Sequence, residues 1–386
     1  MLSLILILFW SRIYSDSITL LLFVITNFGT GEITSKKSIM KIKDISTSIY
    51  SFLLIFSTVS IVISTSLQAT NIKNSAVIFM YHKFDKPEHP STNVSLEQFE
   101  NHLSELSKSK YNVKSLGYII DTILSDASLP QNTVGITVDD ADRSFLDVAW
   151  PRLKALGFPV VLFVTTNTIS PNNKNYLNWD EIRQLRDDGV TIGAHSHSHN
   201  HMSKFTIEQI KEEIEISNRF FLKELGETPA FFAYPYGETN EKIIDLLNDY
   251  KFKAAFGQHS GVINETSNIY YLPRFSLNEK YSDIERVKFI ANAKGLGVYD
   301  FIPSNPTIFD NPPYIGFSLL DDKLSKNINC FIYDTKGQVE NDLFRFNERI
   351  EIRLNRKLNK GRSRLNCTSK DQNGTWRWFG HQFYIN

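Results

Sequence analysis

An α/β barrel followed by a small β domain is the architecture this sequence predicts, on three observations. Strand-like apolar runs alternate with helix-like stripes after Ala69, the signature of βα units. Two of those runs end in clusters of acids and histidines, where parallel α/β proteins place their chemistry. Beyond Tyr299 the helical stripes cease and short alternating segments take over.

The bulk composition fits one large domain, or one plus a small one: 386 residues, 42% apolar and 22% charged. The 42 basic residues balance 42 acidic ones, so no basic field exists to hold a phosphate backbone, and nucleic acid is excluded as a partner. Residues 1–69 stand apart, apolar and almost free of acids, and read as a targeting region. From Met40 the order is basic, long apolar (Tyr50 through Ile63), then small residues to Ala69, as in a secretory signal. The alternative is a membrane anchor built from residues 2–65. Either way the folded part is expected to be exported, to the periplasm, the cell envelope or the medium.

Residues 70–300 carry the barrel. Ala76 to Tyr81 is a compact strand, and Ser95 to Gln98 is a capping box for a helix with Leu96, Phe99, Leu103 and Leu106 on one face. Val134 to Ile136 leads into Asp139-Asp140. A helix follows around Pro151 to Leu156, with Pro151 in its first turn and Gly157 closing it. Pro159 to Val164 is a strongly apolar strand. Trp179 to Asp188 reads as a helix stopped by Gly189, feeding the strand Val190 to Ala194. Thr206 to Gln209 is a second capping box, and Ile207, Ile210, Ile214, Phe221 and Leu225 form the stripe of a long helix. Ala230 to Tyr234, Lys253 to Phe256 and Ile269 to Leu272 supply further strands. Six or seven such repeats close into a barrel.

Residues 301–386 show proline punctuation and alternating segments such as Ile350 to Leu354 and Trp376 to Phe379. Both cysteines, Cys330 and Cys367, fall there, and in an exported protein they most simply pair. The arginines and lysines between Arg345 and Arg364, with Trp376 and Trp378, read either as a solvated basic face or as a surface for an acidic or sugar ligand.

The chemistry concentrates in Thr137-Val138-Asp139-Asp140 and His195-Ser196-His197-Ser198-His199. Two histidines and a carboxylate suffice to hold a divalent metal while leaving one side open for water and substrate. A second carboxylate supplies a base.

With Tyr234-Pro235-Tyr236-Gly237 in the right order after them, these stretches resemble the first three motifs of the polysaccharide deacetylase family (carbohydrate esterase family 4, NodB-homology domain). Tyr81-His82 and Phe163-Val164-Thr165 resemble the branch acting on exported poly-N-acetylglucosamine. The resemblance spans roughly residues 74–295 and implies a distorted (β/α)7 barrel. It further implies Asp139 as general base, Asp140, His195 and His199 as metal ligands, and Tyr236 in the substrate groove wall. The metal is expected to be zinc first, with cobalt, nickel or iron(II) as alternatives. If the chain turned helical after the strand, His195 and His199, four apart, would point one way and His197 another.

Three positions depart from the family pattern. Ala141 replaces a glycine, Ala233 stands where an arginine commonly precedes Pro-Tyr, and Arg274 in Leu272-Pro273-Arg274 replaces the histidine of a Leu-x-His motif. Arg274 is therefore expected to supply the missing guanidinium at the site or to contact substrate, and His259 or His82 to supply the proton, with His82 also a candidate substrate contact. The reaction implied is hydrolysis of N-acetyl groups on an N-acetylglucosamine-containing polysaccharide or oligosaccharide. A catalytically inactive carbohydrate-binding relative is the alternative, and a metal-dependent peptidase or lipid hydrolase, with an apolar groove, is a third. Membrane association through the N-terminus is a further expectation.

Overall fold

The computed structural model describes residues 72–386. The signal, the anchor and any membrane association read into residues 1–69 lie outside that range. Among the described residues no helix is long and apolar enough to cross a membrane.

Seven parallel strands curl into the barrel: β1 (Ala76–Tyr81), β2 (Thr133–Val138), β3 (Val161–Val164), β4 (Thr191–Ala194), β5 (Phe231–Ala233), β6 (Ala254–Phe256) and β7 (Phe275–Ser276). They run in the order β7-β1-β2-β3-β4-β5-β6. Strand side chains alternate between two buried layers, as a period of two requires. Ile78, Phe163, Ala233 and Phe256 point into the barrel, while Phe79, Leu162, Val164 and Phe232 face the helices.

The surrounding helices are α1 (Leu96–Leu106), α2 (Leu116–Ile123), α3 (Trp150–Ala155), α4 (Trp179–Asp187), α5 (Ile207–Leu225), α6 (Glu241–Asp249) and α7 (Ile284–Ala291). Both predicted capping boxes form, on Ser95 and Thr206, and a third forms on Asn178 with Glu181. Leu116, Ile119 and Ile120 of α2 belong to the inner layer, so this helix plugs the barrel rather than coating it.

The barrel is distorted because β6 and β7 do not pair. Irregular chain fills the seam: Ala76 and Ile263 exchange backbone hydrogen bonds (3.0 and 2.9 Å), and Ala255 does the same with Ile269 and Leu272. The predicted strand Ile269 to Leu272 is this filler, with the last strand displaced past Pro273 to Phe275–Ser276.

From Lys294 onward the chain builds two antiparallel-rich sheets around a second core containing Phe317, Ile332, Ile352 and Phe383. One contains β8 (Val298–Ile302), β9 (Ile315–Leu319), β12 (Asn341–Phe346) and β13 (Arg349–Leu354); the other contains β10 (Asn329–Asp334), β11 (Gly337–Val339), β14 (Gly361–Lys370) and β15 (Trp376–Ile385). Cys330 and Cys367 sit opposite each other on β10 and β14 and are disulfide-bonded.

Strand β15 fastens this second core to the barrel. Gln382 Nε2 donates to the carbonyls of Gly237 (2.9 Å) and Tyr236 (3.2 Å), and Trp378 packs edge-on against Phe275 (5.0 Å).

Candidate active site

The Asp139-Asp140 turn is held from both sides. Its backbone follows β1, with Asp139 N–H donating to the Tyr81 carbonyl (2.9 Å) and Thr137 Oγ1 to the Phe79 carbonyl (2.8 Å). Beyond it, Asp142 accepts from Lys83 Nζ (2.6 Å) and from the backbone and hydroxyl of Ser144 (2.9 and 2.6 Å).

Asp139 and Arg274 are both fully buried and meet fork to fork: Nη1 to Oδ1 at 2.7 Å and Nη2 to Oδ2 at 2.8 Å. The guanidinium is otherwise spent on the Gly257 carbonyl (2.9 Å) and Thr137 Oγ1 (3.1 Å), and it lies 5.3 Å over the Phe163 ring. Burial alone would raise the Asp139 carboxyl, but Arg274, helped by His195 and His82, holds it well below the usual carboxylate range. Of the two expectations for Arg274, these contacts fit the guanidinium partner of Asp139. Substrate contact does not fit a side chain with no exposed surface, and that expectation is corrected.

Asp140, His195 and His199 converge, one ligand atom from each lying within 4.8 Å of the others. Asp140 Oδ1 is 3.5 Å from His195 Nε2 and 3.4 Å from His199 Nε2. His195 Nδ1 is committed to the Ala233 carbonyl (2.7 Å), which leaves the Nε2 lone pair facing Asp140. Burial pulls the His195 imidazole down to about 4, so it stands neutral at physiological pH. Both Asp140 Oδ1 and His195 Nε2 are buried without a hydrogen-bond partner. Buried polar atoms left in this way are costly unless something binds them. One carboxylate oxygen and two imidazole nitrogens with unused lone pairs fit a divalent cation.

The chain does not turn helical after β4. Ser196 and His199 adopt left-handed backbone (φ 60° and 57°), and Glu213 on α5 accepts from the N–H groups of His197 (3.1 Å) and Ser198 (2.8 Å). A carboxylate from another helix takes the donors that helix winding would have used. The two imidazoles still converge, 4.9 Å between ring centroids. His197 instead bonds Thr166 Oγ1 (2.8 Å) and stacks on Phe220, and His201 bonds Glu238 (2.9 Å) and stacks on Tyr236 (4.0 Å).

Asp140, Ala141 and Tyr236 are also left-handed (φ 76°, 59° and 58°). Such strain gathered at one end of a barrel marks a functional site. Tyr236, half-buried, sets its ring edge-on to His199 (4.8 Å). His82 brings Nε2 to 3.9 Å from Asp139.

His259 is not part of this constellation. Its ring packs on Tyr271 (4.6 Å) and lines a cavity of about 190 Å³, shared with Phe301, Phe379 and His381, to which none of Asp140, His195 and His199 contributes. Burial lowers its basicity well below the ordinary histidine value. The expectation that it supplies the proton is corrected: the turn after Gly257 directs it toward the β sheets. Sequence reasoning also missed Glu213, the Ala233 carbonyl and Gln382, none of which belongs to a local motif.

Residues 126–255 match the polysaccharide deacetylase family model. A poly-beta-1,6-N-acetyl-D-glucosamine N-deacetylase of Staphylococcus aureus (strain MSSA476) is 24% identical over 213 residues, covering 52% of this chain and 73% of that protein. Among solved structures, the Streptococcus pyogenes deacetylase PplD in complex with acetate superposes with a TM-score of 0.51 at 20% identity, over 55% of this chain and 96% of that one. IcaB from Ammonifex degensii gives 0.50 at 20% identity, over 57% and 97%. The stretch matched by the family model contains Asp139, Asp140, His195 and His199, so the barrel is similar to a polysaccharide deacetylase domain in fold and in the residues at its site.

Proposed function

We propose that this protein is a metal-dependent polysaccharide N-deacetylase that hydrolyses N-acetyl groups of an N-acetylglucosamine-containing glycan. The observation that carries the reading is the juxtaposition of a carboxylate locked by Arg274 with three converging ligand atoms on Asp140, His195 and His199, those of Asp140 and His195 buried without a partner. A binding module has no need of a buried, ionised carboxylate beside such a group.

Asp140, His195 and His199 would hold the ion, zinc first, with cobalt, nickel or iron(II) as alternatives. A divalent cation there supplies Lewis-acid polarisation of the acetyl carbonyl and acidifies water. Asp139 accepts the water proton at the carboxylate that Arg274 orients. His82, whose Nε2 lies 3.9 Å from Asp139, would return a proton to the departing nitrogen, and Tyr236 with His201 behind it would form one wall of the groove. The apolar, acid-poor stretch of residues 1–69, read as a targeting region, supports an exported enzyme.

Acetate release from short N-acetylglucosamine oligomers by the metal-loaded protein tests the reading. Release that disappears on chelation supports it, and no release from any N-acetylated glycan contradicts it.

A further inference from the structure

The basic run singled out in the sequence divides sharply. Arg345 donates to the carbonyls of Ser325 (3.0 Å) and Ile328 (2.7 Å), Arg349 and Arg353 share Glu351, and Arg356 holds Asp334 (2.6 Å). Trp378 packs between Phe275 and Phe289, whereas Trp376 meets Phe289 edge-on (5.8 Å) and stays exposed. Two arginines remain, Arg362 and Arg364, and among the described residues neither has a carboxylate within salt-bridge distance.

Both stand on β14 two residues apart, so they share one face, opposite the face that Ser363 and Leu365 bury. That face meets the barrel. Across the ladder from Arg364 is Gln382, which is anchored on the Tyr236-Gly237 backbone. Arg362 lies 5.8 Å over the Tyr236 ring and donates one long bond to its carbonyl (3.4 Å). The same ring is edge-on to His199. Burial first, then the like charge of Arg362, lowers the ordinary basicity of Arg364. Two partly desolvated guanidiniums held side by side without a counter-charge are unfavourable alone, and an anion reverses the sign of that energy.

We infer that Arg362 and Arg364 form a subsite at the rim of the active site for an anionic group, a carboxylate or phosphate, carried by the glycan beside its acetylated residue. The two planar forks suit oxyanions, and Tyr236 links the subsite to the reacting end of the groove. The inference rests on the glycan reading above and deepens it: the second core selects for acidic polymers.

The test is calorimetric binding of three tetrasaccharides to the full protein. One is neutral N-acetylglucosamine, one alternates N-acetylglucosamine with glucuronic acid, and one is the neutral tetramer bearing 6-phosphates. The expected result is a preference of about tenfold or more for at least one acidic tetramer at low salt, which shrinks as salt rises. That preference should fall toward unity in the R362Q/R364Q double variant and partly return in R362K/R364K. Parent protein that binds both acidic tetramers no tighter than the neutral one overturns the inference. So does a preference that survives in the double glutamine variant. Binding is read without turnover, so failure to release acetate counts against the deacetylase reading and leaves the charge preference to decide the subsite.

Discussion

Arg274 and Asp139 lie 135 residues apart in sequence and meet through two hydrogen bonds of 2.7 and 2.8 Å, both side chains sealed from solvent. A buried pair of this kind is strongly interdependent, because removing one partner strands the other charge.

Arg274→Gln should therefore destabilise the protein by about 3–5 kcal/mol. The sign with pH follows from the depressed Asp139 carboxyl: its stabilising contribution is present above its unfolded value and lost as pH falls through the folded one. In the variant, where burial raises the carboxyl and the opposing guanidinium is gone, that loss on acidification should shrink or reverse. Urea unfolding of both proteins across the acid range measures it, and equal stability at neutral pH would show that the pair is dispensable.

Three imidazoles titrate the other way in sense but with the same slope. Burial holds His195 at about 4, His381 at about 3 and His259 well below its ordinary value, so unfolding binds protons that folding refuses. Stability of the metal-free protein should fall as pH drops below about 6.5, by about 1.4 kcal/mol per pH unit for each of the three. Flat stability between pH 6 and 5 would contradict the buried neutral state.

Much of this was legible in the sequence, and the rest was not for physical reasons. The ligands fall in two local motifs at strand ends, so patterning alone brings them close. The partner of Asp139 requires the whole barrel to close, and the carbonyl of Ala233 that orients His195 could belong to any residue type. Helix Leu116–Ile123 escaped detection although Leu116, Ile119, Ile120 and Ile123 form one buried stripe, because its eight residues make only about two turns. Ile269 to Leu272 reads as a strand because it is apolar, yet it serves as filler at a seam that β7 is too short to close.

Gly193 is irreplaceable on steric grounds. A Cβ there would overlap the ring of Phe163, the same ring that lies under the Arg274 guanidinium. Gly193→Ala should cost about 1–3 kcal/mol through overpacking and disturb the base as well as the core. Thermal unfolding with a matched activity assay separates this from a simple loss of stability. Unchanged behaviour in both would place Phe163 outside the site's support.

Asp140→Ala, His195→Ala and His199→Ala should each lose bound metal, whereas His197→Ala and His201→Ala should retain it, since those rings are engaged with Thr166 and Glu238. Elemental analysis of purified variants decides. Metal lost from the His201 variant and kept in the His199 variant would reassign the ligand set.

Reduction of Cys330–Cys367 should lower the stability of the second core by about 2–4 kcal/mol. Because β15 grips the Tyr236-Gly237 backbone, loosening that core should also weaken glycan binding before the barrel unfolds. Fluorescence unfolding with and without reductant, beside a binding isotherm, measures both. Binding unaffected after the second core has melted would separate the two.

The central claim is that Asp139 is a base and Asp140 a ligand, and acetate release by Asp139→Asn and Asp140→Asn, each with and without added zinc, tests it most directly. The Asp139 variant, in its folded fraction, should keep its metal and lose about 10²–10⁴-fold in turnover with no rescue by zinc. The Asp140 variant should lose metal and regain part of its activity when zinc is supplied in excess. An Asp139 variant as active as the parent, or one that zinc restores while the Asp140 variant stays inactive, would contradict the assignment.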